Sequence, residues 1–350
     1  MKAVVLAAGW GTRLRPFTYT LPKHLLPVAG KPLIRHVLAM IREAGLTEVG
    51  LVVSPATLEL FRESLGDEEG LRITYILQPE PKGLAHAVLC AEGFVGNEDF
   101  LVVLGDNLLG EGLGPALGRF EKEGTHTVVL AAVEDPRRFG VAVVEGGRIL
   151  KLVEKPKDPP SPWALVGVYV FRPSLFAAAR KIRPSFRGEL ELTDAIQRLV
   201  EEGEPVCAHF LSGWWQDVGR PADLLVAQAR LFAHLSPRVE GELDANTRLQ
   251  GQVVIERGAR VRHSHLEGPV WVGHGAEVDA SVLGPNVAVG PKAQVQNARL
   301  RNTILMDEAR VEGVSLGESV LGRRAHVRGK GQASLFLGDD AWGELEGGDS

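Results

Sequence analysis

Hydrophobic and polar positions fall into two regimes along the chain. Over about the first two hundred residues, short apolar runs alternate with stretches whose apolar residues recur at helical spacing, the pattern of a sheet covered by helices on both faces. Met1 to Ala7 is apolar apart from Lys2 and predicts a central parallel strand. Val49 to Val53, Ile73 to Leu77 and Phe100 to Leu104 predict three more. Pro32 marks a helix start, Leu33, Val37, Leu38 and Ile41 form its apolar face, and Gly45 ends it. A connecting helix is expected near Pro221 to Leu235. From about Gly241 the helical period disappears. Aliphatic residues then recur every five or six positions, through Ile255, Val261, Leu266, Val272, Val278, Leu283, Val289, Val295, Leu300, Leu305, Val311, Leu316, Leu321 and Val327. Ile255 to Val272 is 17 positions and Leu305 to Leu321 is 16. Three short faces per coil explain that interval, because stacked coils bury inward aliphatic residues that no single coil could. Gly268, Gly273, Gly284, Gly290 and Gly322 serve the corners. The domains read from these patterns are an α/β unit over 1–235, a repeat unit over 241–330, and an acidic, glycine-rich tail over 338–350 expected to fray.

Composition narrows the function without defining it. The 350 residues are 45% hydrophobic and 24% charged, ordinary values for a globular protein of more than one domain. A formal net charge of -5 with no basic block argues against a nucleic-acid partner. No window approaches eighteen uninterrupted apolar residues and Met1 to Gly9 lacks the core of a signal peptide, so no membrane partner and a cytoplasmic location are expected. The two cysteines, Cys90 and Cys207, lie far apart and read as structural thiols.

The chemistry begins where the first strand ends. In Leu6-Ala7-Ala8-Gly9-Trp10-Gly11-Thr12-Arg13-Leu14, Gly9 and Gly11 let the backbone approach a ligand, and amide N–H groups in such a turn can face phosphate oxygens. Arg13 and Lys23 add two positive charges. A P-loop would need Gly-Lys-Ser/Thr after the second glycine, and a dinucleotide fingerprint a glycine at Leu14; neither is present. What remains resembles the G-x-G-T-R-L-x-P signature of sugar-1-phosphate nucleotidylyltransferases, and Pro22-Lys23-His24-Leu25-Leu26-Pro27-Val28 resembles that family's P-K-x-L-L-P-V. Gln78-Pro79-Glu80-Pro81-Lys82-Gly83-Leu84-Ala85-His86-Ala87 is similar to the Q-P-x-P-x-G-L-A-x-A of thymidylyltransferases. A glutamine amide can accept from N3–H of thymine or uracil while donating to a ring carbonyl. The repeat unit resembles a left-handed parallel β-helix of the hexapeptide type, and the whole arrangement resembles the long form of the glucose-1-phosphate thymidylyltransferases.

That resemblance implies a Rossmann-like nucleotidyltransferase domain with a mostly parallel sheet, followed by the β-helix. It implies transfer from dTTP to glucose 1-phosphate, giving dTDP-glucose and pyrophosphate, by direct in-line attack with Mg²⁺ as cofactor. Ala8, Gly9, Gly11, Thr12, Arg13 and Lys23 would cradle and neutralise the triphosphate, and Arg13, Lys23, Asp106 and Asp217 would be catalytic. Gln78 and Gly83 would meet the base. Asp106, in Gly105-Asp106-Asn107, and Asp217, in Trp214-Trp215-Gln216-Asp217-Val218-Gly219, would hold the metal. Gly140, Glu154, Lys155 and Leu165, the last within Trp163–Tyr169, would form the sugar-phosphate pocket. Arg187 to Asp194 also matches the family and is assigned only to positioning a helix that begins near Thr193. Three other readings stay open: a uridylyltransferase, a bifunctional enzyme whose β-helix acetylates, and a non-catalytic sugar-nucleotide-binding regulatory subunit. His263, His265, His274 and His326 read as exposed face or corner residues, and a homo-oligomer is expected. If the repeats serve assembly or stability, a chain ending near Leu235 should keep some activity.

Overall fold

The computed structural model describes residues 1–346. Close contacts group the chain into two units, Met1–Gly9 with Ile34–Asp217, and Trp10–Leu33 with the chain from Val218 onward. In the first, β1 (Lys2–Leu6), β2 (Glu48–Val53), β3 (Arg72–Leu77) and β4 (Phe100–Leu104) form the predicted parallel set, with Val4 opposite Gly50 on one side and Val102 on the other. A strand paired on both edges and buried on both faces has no solvent side, so it reads as an unbroken apolar run. The small strand β5 (Asn107–Leu109) follows β4, and β6 (His126–Ala132), β7 (Gly140–Glu145), β8 (Arg148–Glu154), β9 (Trp163–Phe171) and β10 (Val206–Phe210) complete the sheet. Its order is β3-β2-β1-β4-β9-β6-β10-β8-β7. Beyond the parallel set, β9 runs antiparallel to both β4 and β6, so this half of the sheet is mixed. Helix α1 (Leu33–Glu43) buries the predicted Leu33, Val37, Leu38 and Ile41. Helices α2 (Leu84–Cys90) and α3 (Leu192–Glu201) also cover the sheet, in a core that includes Phe100 stacked on Phe176 at 5.0 Å between ring centroids.

In the second unit, α4 (Pro221–Phe232) starts at a proline, where the missing N–H costs nothing, and Asp223 accepts from the Gly219 and Arg220 amides. It ends at Phe232 rather than Leu235. Gln228, fully buried, ties this helix to the repeats by donating to the Asn286 carbonyl at 3.0 Å and, more distantly, to that of Thr303. The repeats are a three-faced parallel β-helix. One face pairs Val253 with Val270 and Val270 with Val287, then Val287 with Thr303, so the 17-residue coil shortens to 16. Every residue of the predicted aliphatic register lies in its core. Close coil packing explains Gly284: a Cβ there would fall 1.8 Å from the Glu267 carbonyl oxygen. The tail expectation fails over Trp342–Leu345, which form a strand paired with residues 326–329 of the preceding coil; its last residues, 347–350, lie outside the described residues. Among the described residues, no helix is long and apolar enough to cross a membrane, and Cys90 and Cys207 are free thiols.

Candidate active site

Three strands of the first unit end in residues with chemistry at the same edge of the sheet. The β1 ladder continues through Ala7, whose amide donates to Val52, and then reaches Ala8 and Gly9. Ala8 keeps a negative φ, so alanine fits there, and the space above Gly9 is open. Gln78 follows β3 and donates its amide hydrogen to Val53, while Gly105 follows β4 and donates to Leu6. Such strand ends form the ligand crevice of open α/β sheets.

Asp106 is 5% exposed, and Asn107 Nδ2 donates to its Oδ1 at 3.0 Å. Asn107 Oδ1 accepts from Trp215 Nε1 at 2.6 Å. Strand β11 (Trp215–Asp217) pairs antiparallel with β5 and sets Asp217 directly opposite Asn107. The two predicted metal carboxylates thus reach neighbouring positions although more than a hundred residues separate them. Phe139 packs on Trp215 with centroids 4.9 Å apart. A bulge in β9 at Gly167, with φ +81, makes room for this arrangement, since a Cβ there would approach Leu104 within 2.8 Å and Asn107 Nδ2 within 3.1 Å. Two carboxylates with no nitrogen or sulfur donor suit a hard cation that completes its shell with water and phosphate oxygens. Among the described residues, no group of three or more His, Cys, Asp or Glu could hold a metal by protein ligands alone.

The sugar-phosphate candidates also converge. Thr193 Oγ1 donates to Glu154 Oε2 at 2.6 Å, and Lys155 Nζ pairs with Glu154 Oε1 at 2.8 Å. A Cβ on Gly140 would lie 2.6 Å from Thr193 Oγ1 and 2.7 Å from Leu165 Cδ1, so this position needs glycine. Burial raises the Glu191 and Asp194 carboxyls above their ordinary range, and the nearby Glu154 charge adds to both shifts. Arg187 pairs with Glu191 at 3.2 Å.

Gln78 is buried, and its Nε2 donates to the Gly83 carbonyl and to His86 Nδ1, each at 3.1 Å. The reverse amide orientation would set two oxygens against each other, so the network fixes Nε2 inward. Sequence reasoning gave the amide both a donor and an acceptor role toward a base; here the donor is engaged by the protein and Oε1 is the acceptor available to a ligand. Gly83, with φ +102, packs on the Leu190 backbone, and Leu190 exchanges hydrogen bonds with Lys82 and Ala85. The Arg187–Asp194 segment therefore holds the Gln78 loop as well as opening α3. His86 and Asn107 were missed as site residues; Asn107 beside an aspartate at a strand end was the available signal.

In the second unit, Trp10–Leu33 folds into short 3₁₀ turns at Thr12–Leu14, Phe17–Tyr19 and Lys23–Leu25. Gly11 has φ +81, and a Cβ there would lie 2.7 Å from Lys23 Cβ. The Gly11 carbonyl accepts from the Leu14 amide and from Thr18 Oγ1, while the Lys23 amide donates to Trp10. The turn brings Gly11 against Lys23, with Thr12 and Arg13 exposed.

Comparison with known proteins finds two families along the chain. Residues 2–233 match the nucleotidyl transferase family, and residues 237–318 match the GlmU-like C-terminal hexapeptide family. The chain is 42% identical over 333 residues to the glucose-1-phosphate thymidylyltransferase of Streptomyces antibioticus, covering 93% of each chain. It is 39% identical to the UTP--glucose-1-phosphate uridylyltransferase AglF of Haloferax volcanii, over 66% of this chain and 96% of that one. A crystal structure of UDP-glucose pyrophosphorylase complexed with UDP-glucose superposes with a TM-score of 0.60 at 28% identity, over 66% of this chain and 98% of that one.

Proposed function

The chain belongs to the nucleotidyl transferase family, and from that premise we propose that it joins dTTP to glucose 1-phosphate, giving dTDP-glucose and pyrophosphate. Sugar-1-phosphate nucleotidyl transfer is the reaction that its relatives share, on the thymidylyl and the uridylyl side. The β5–β11 ladder supports the reading: it pairs Asp217 with Asn107, the residue after Asp106, and Asp106 follows β4 at the edge where Gln78 follows β3 and the Ala8–Gly9 turn follows β1. In the proposed reaction an ionised oxygen of the sugar phosphate attacks the α-phosphorus in line. The bond from that phosphorus to the bridging oxygen breaks, and pyrophosphate leaves with the electron pair. Arg13 and Lys23 supply positive charge to the phosphates. Asp106 and Asp217 would hold Mg²⁺, which supplies Lewis-acid neutralisation at phosphate oxygens. Gln78 Oε1 accepts from N3–H of the base, and Glu154 from sugar hydroxyls. Lys155 holds the sugar phosphate, in the pocket walled by Gly140 and Leu165.

Support for dTTP comes from the Streptomyces antibioticus relative, whose similarity extends through the β-helix as well as the α/β unit. UTP is the second reading, because with Nε2 held by Gly83 the remaining Oε1 acceptor would read the same N3–H edge in uracil, and a uridylyl relative is also found. Pyrophosphate release measured across dTTP, UTP, GTP, ATP and CTP with several sugar 1-phosphates tests both. The highest kcat/KM is expected for dTTP with glucose 1-phosphate. A UTP maximum would replace the thymidylyl reading, and no release with any pair would overturn nucleotidyl transfer. Asp106→Asn should abolish Mg²⁺-dependent release with the circular dichroism spectrum unchanged.

A further inference from the structure

The segment Trp10–Leu33, which bears Arg13 and Lys23, packs on the β-helix at two places. Thr20 Oγ1 donates to Asp339 Oδ2 at 2.8 Å. The Asp339 side chain is only 4% exposed and is fixed from behind by Arg323, through Nε on Oδ2 at 2.9 Å and the backbone amide on Oδ1 at 2.8 Å. Beside it, a Cβ on Gly338 would lie 3.0 Å from Pro16 Cβ, so the chain passes close to this coil. At the other end of the segment, Gly30 lies against the indole of Trp271, where a Cβ would meet Cε2 at 2.6 Å. Trp271 is held in turn by Phe232, Val254 and Ala288, and its Nε1 donates to Glu256. Between these contacts sits the knot in which Lys23 packs on Gly11.

We propose that the β-helix positions the phosphate-handling segment: Asp339 acting through Thr20, and Trp271 acting against Gly30, hold Trp10–Leu33 in the conformation that brings Lys23 onto Gly11. This rests on the reading of Arg13 and Lys23 as phosphate-binding groups. Thr20, Asp339 and Trp271 are positioning residues, and the β-helix is part of the apparatus that binds the triphosphate. A hydrogen bond to a charged carboxylate is stronger than one between neutral groups, and with Arg323 still pairing Asp339, removing the Thr20 donor loosens the segment rather than the coil.

Thr20→Val in the full chain removes the donor and keeps the shape. It should weaken dTTP binding by calorimetry and raise the dTTP KM by about three- to tenfold, leaving the glucose 1-phosphate KM and the melting temperature unchanged. Thr20→Ser should restore both values. In an Asp339→Ala background, Thr20→Val should have no further effect. Asp340→Asn, which alters the neighbouring carboxylate that pairs with Arg324, should leave dTTP binding as it was. Hydrogen exchange read without ligand should show faster exchange at the Leu14 and Lys23 amides in Thr20→Val. Unchanged exchange, or an equal Thr20→Val effect with and without the Asp339 side chain, would overturn the proposal. A wild-type chain that binds no triphosphate although Thr20→Val speeds exchange would instead overturn the nucleotidyl-transfer reading.

Discussion

The Gln78 amide donates both of its hydrogens into the protein, to Gly83 and His86, so a substitution there acts on the loop and on the base together. Gln78→Glu would set a carboxylate against the Gly83 carbonyl and the unprotonated His86 nitrogen, while an oxygen still faces the ligand. Leaving such contacts unmade costs on the order of 1 to 3 kcal/mol, or roughly one to two powers of ten in kcat/KM. We expect that loss with dTTP and UTP alike and with little change in Mg²⁺ dependence. An unchanged dTTP rate and dTTP-to-GTP ratio would remove Gln78 from base recognition. At this scale the sequence revealed residue types better than their partners. Glu154, Gly140 and Leu165 were legible through family motifs, and they do meet at one place. Asn107 receives no role from the sequence because its partner, Trp215, lies 108 positions away and no local pattern encodes that bond. His86 stands in the Gln78–Ala87 motif with no role of its own, since a histidine beside a glutamine loop is distinctive only once the loop's fold is known.

Elements with a long, repeated signature were the most legible. The β-helix register was visible because every coil repeats the same inward position, and the four parallel strands because burial on both faces leaves no polar alternation. Strands β5 and β11, three residues each, carry no such pattern and exist through their mutual pairing. Strand β6 begins with a residue whose burial has a measurable consequence. His126 is fully buried, its Nδ1 accepts from the Arg172 amide, and its Nε2 donates to Glu204 at 3.0 Å. Burial depresses its pKa below the ordinary 6.5, although Glu204 opposes the shift. A depressed histidine contributes stability that is complete above its unfolded pKa and is lost as pH falls through the folded value. The unfolding free energy should therefore decline below pH 6.5, with a slope from this group of at most about 1.4 kcal/mol per pH unit. His126→Gln should remove that component, and chemical denaturation at successive pH values would measure the difference. His263 has the opposite sign: Asp279 and Asp244 raise its pKa, so its contribution is present at low pH and fades as pH rises. Identical slopes for wild type and His126→Gln would remove His126 from the acid sensitivity.

For the whole molecule, the boundary drawn from sequence near Leu235 follows the change from helical to coil periodicity, but close contacts group the chain differently. Trp10–Leu33 belongs with the residues from Val218 onward, because its turns are short and irregular and their cover comes from Trp271, Gly338 and Asp339. Periodicity reports which element a residue builds and is silent about which distant element completes a loop. The consequence reverses the expectation that a chain ending near Leu235 keeps activity. Truncation there removes the carboxylate that meets Thr20 and the indole beneath Gly30, and it exposes Phe232, whose apolar neighbours lie largely in the β-helix. The α/β sheet has its own core and should retain its secondary structure, read by circular dichroism. Triphosphate binding, which depends on Arg13 and Lys23 in the segment left uncovered, should fall below detection by calorimetry, and pyrophosphate release should fall with it. A folded truncation that binds dTTP and releases pyrophosphate at the full-length rate would show that the segment holds its shape without the β-helix, and the repeats would then return to the role of an appendage.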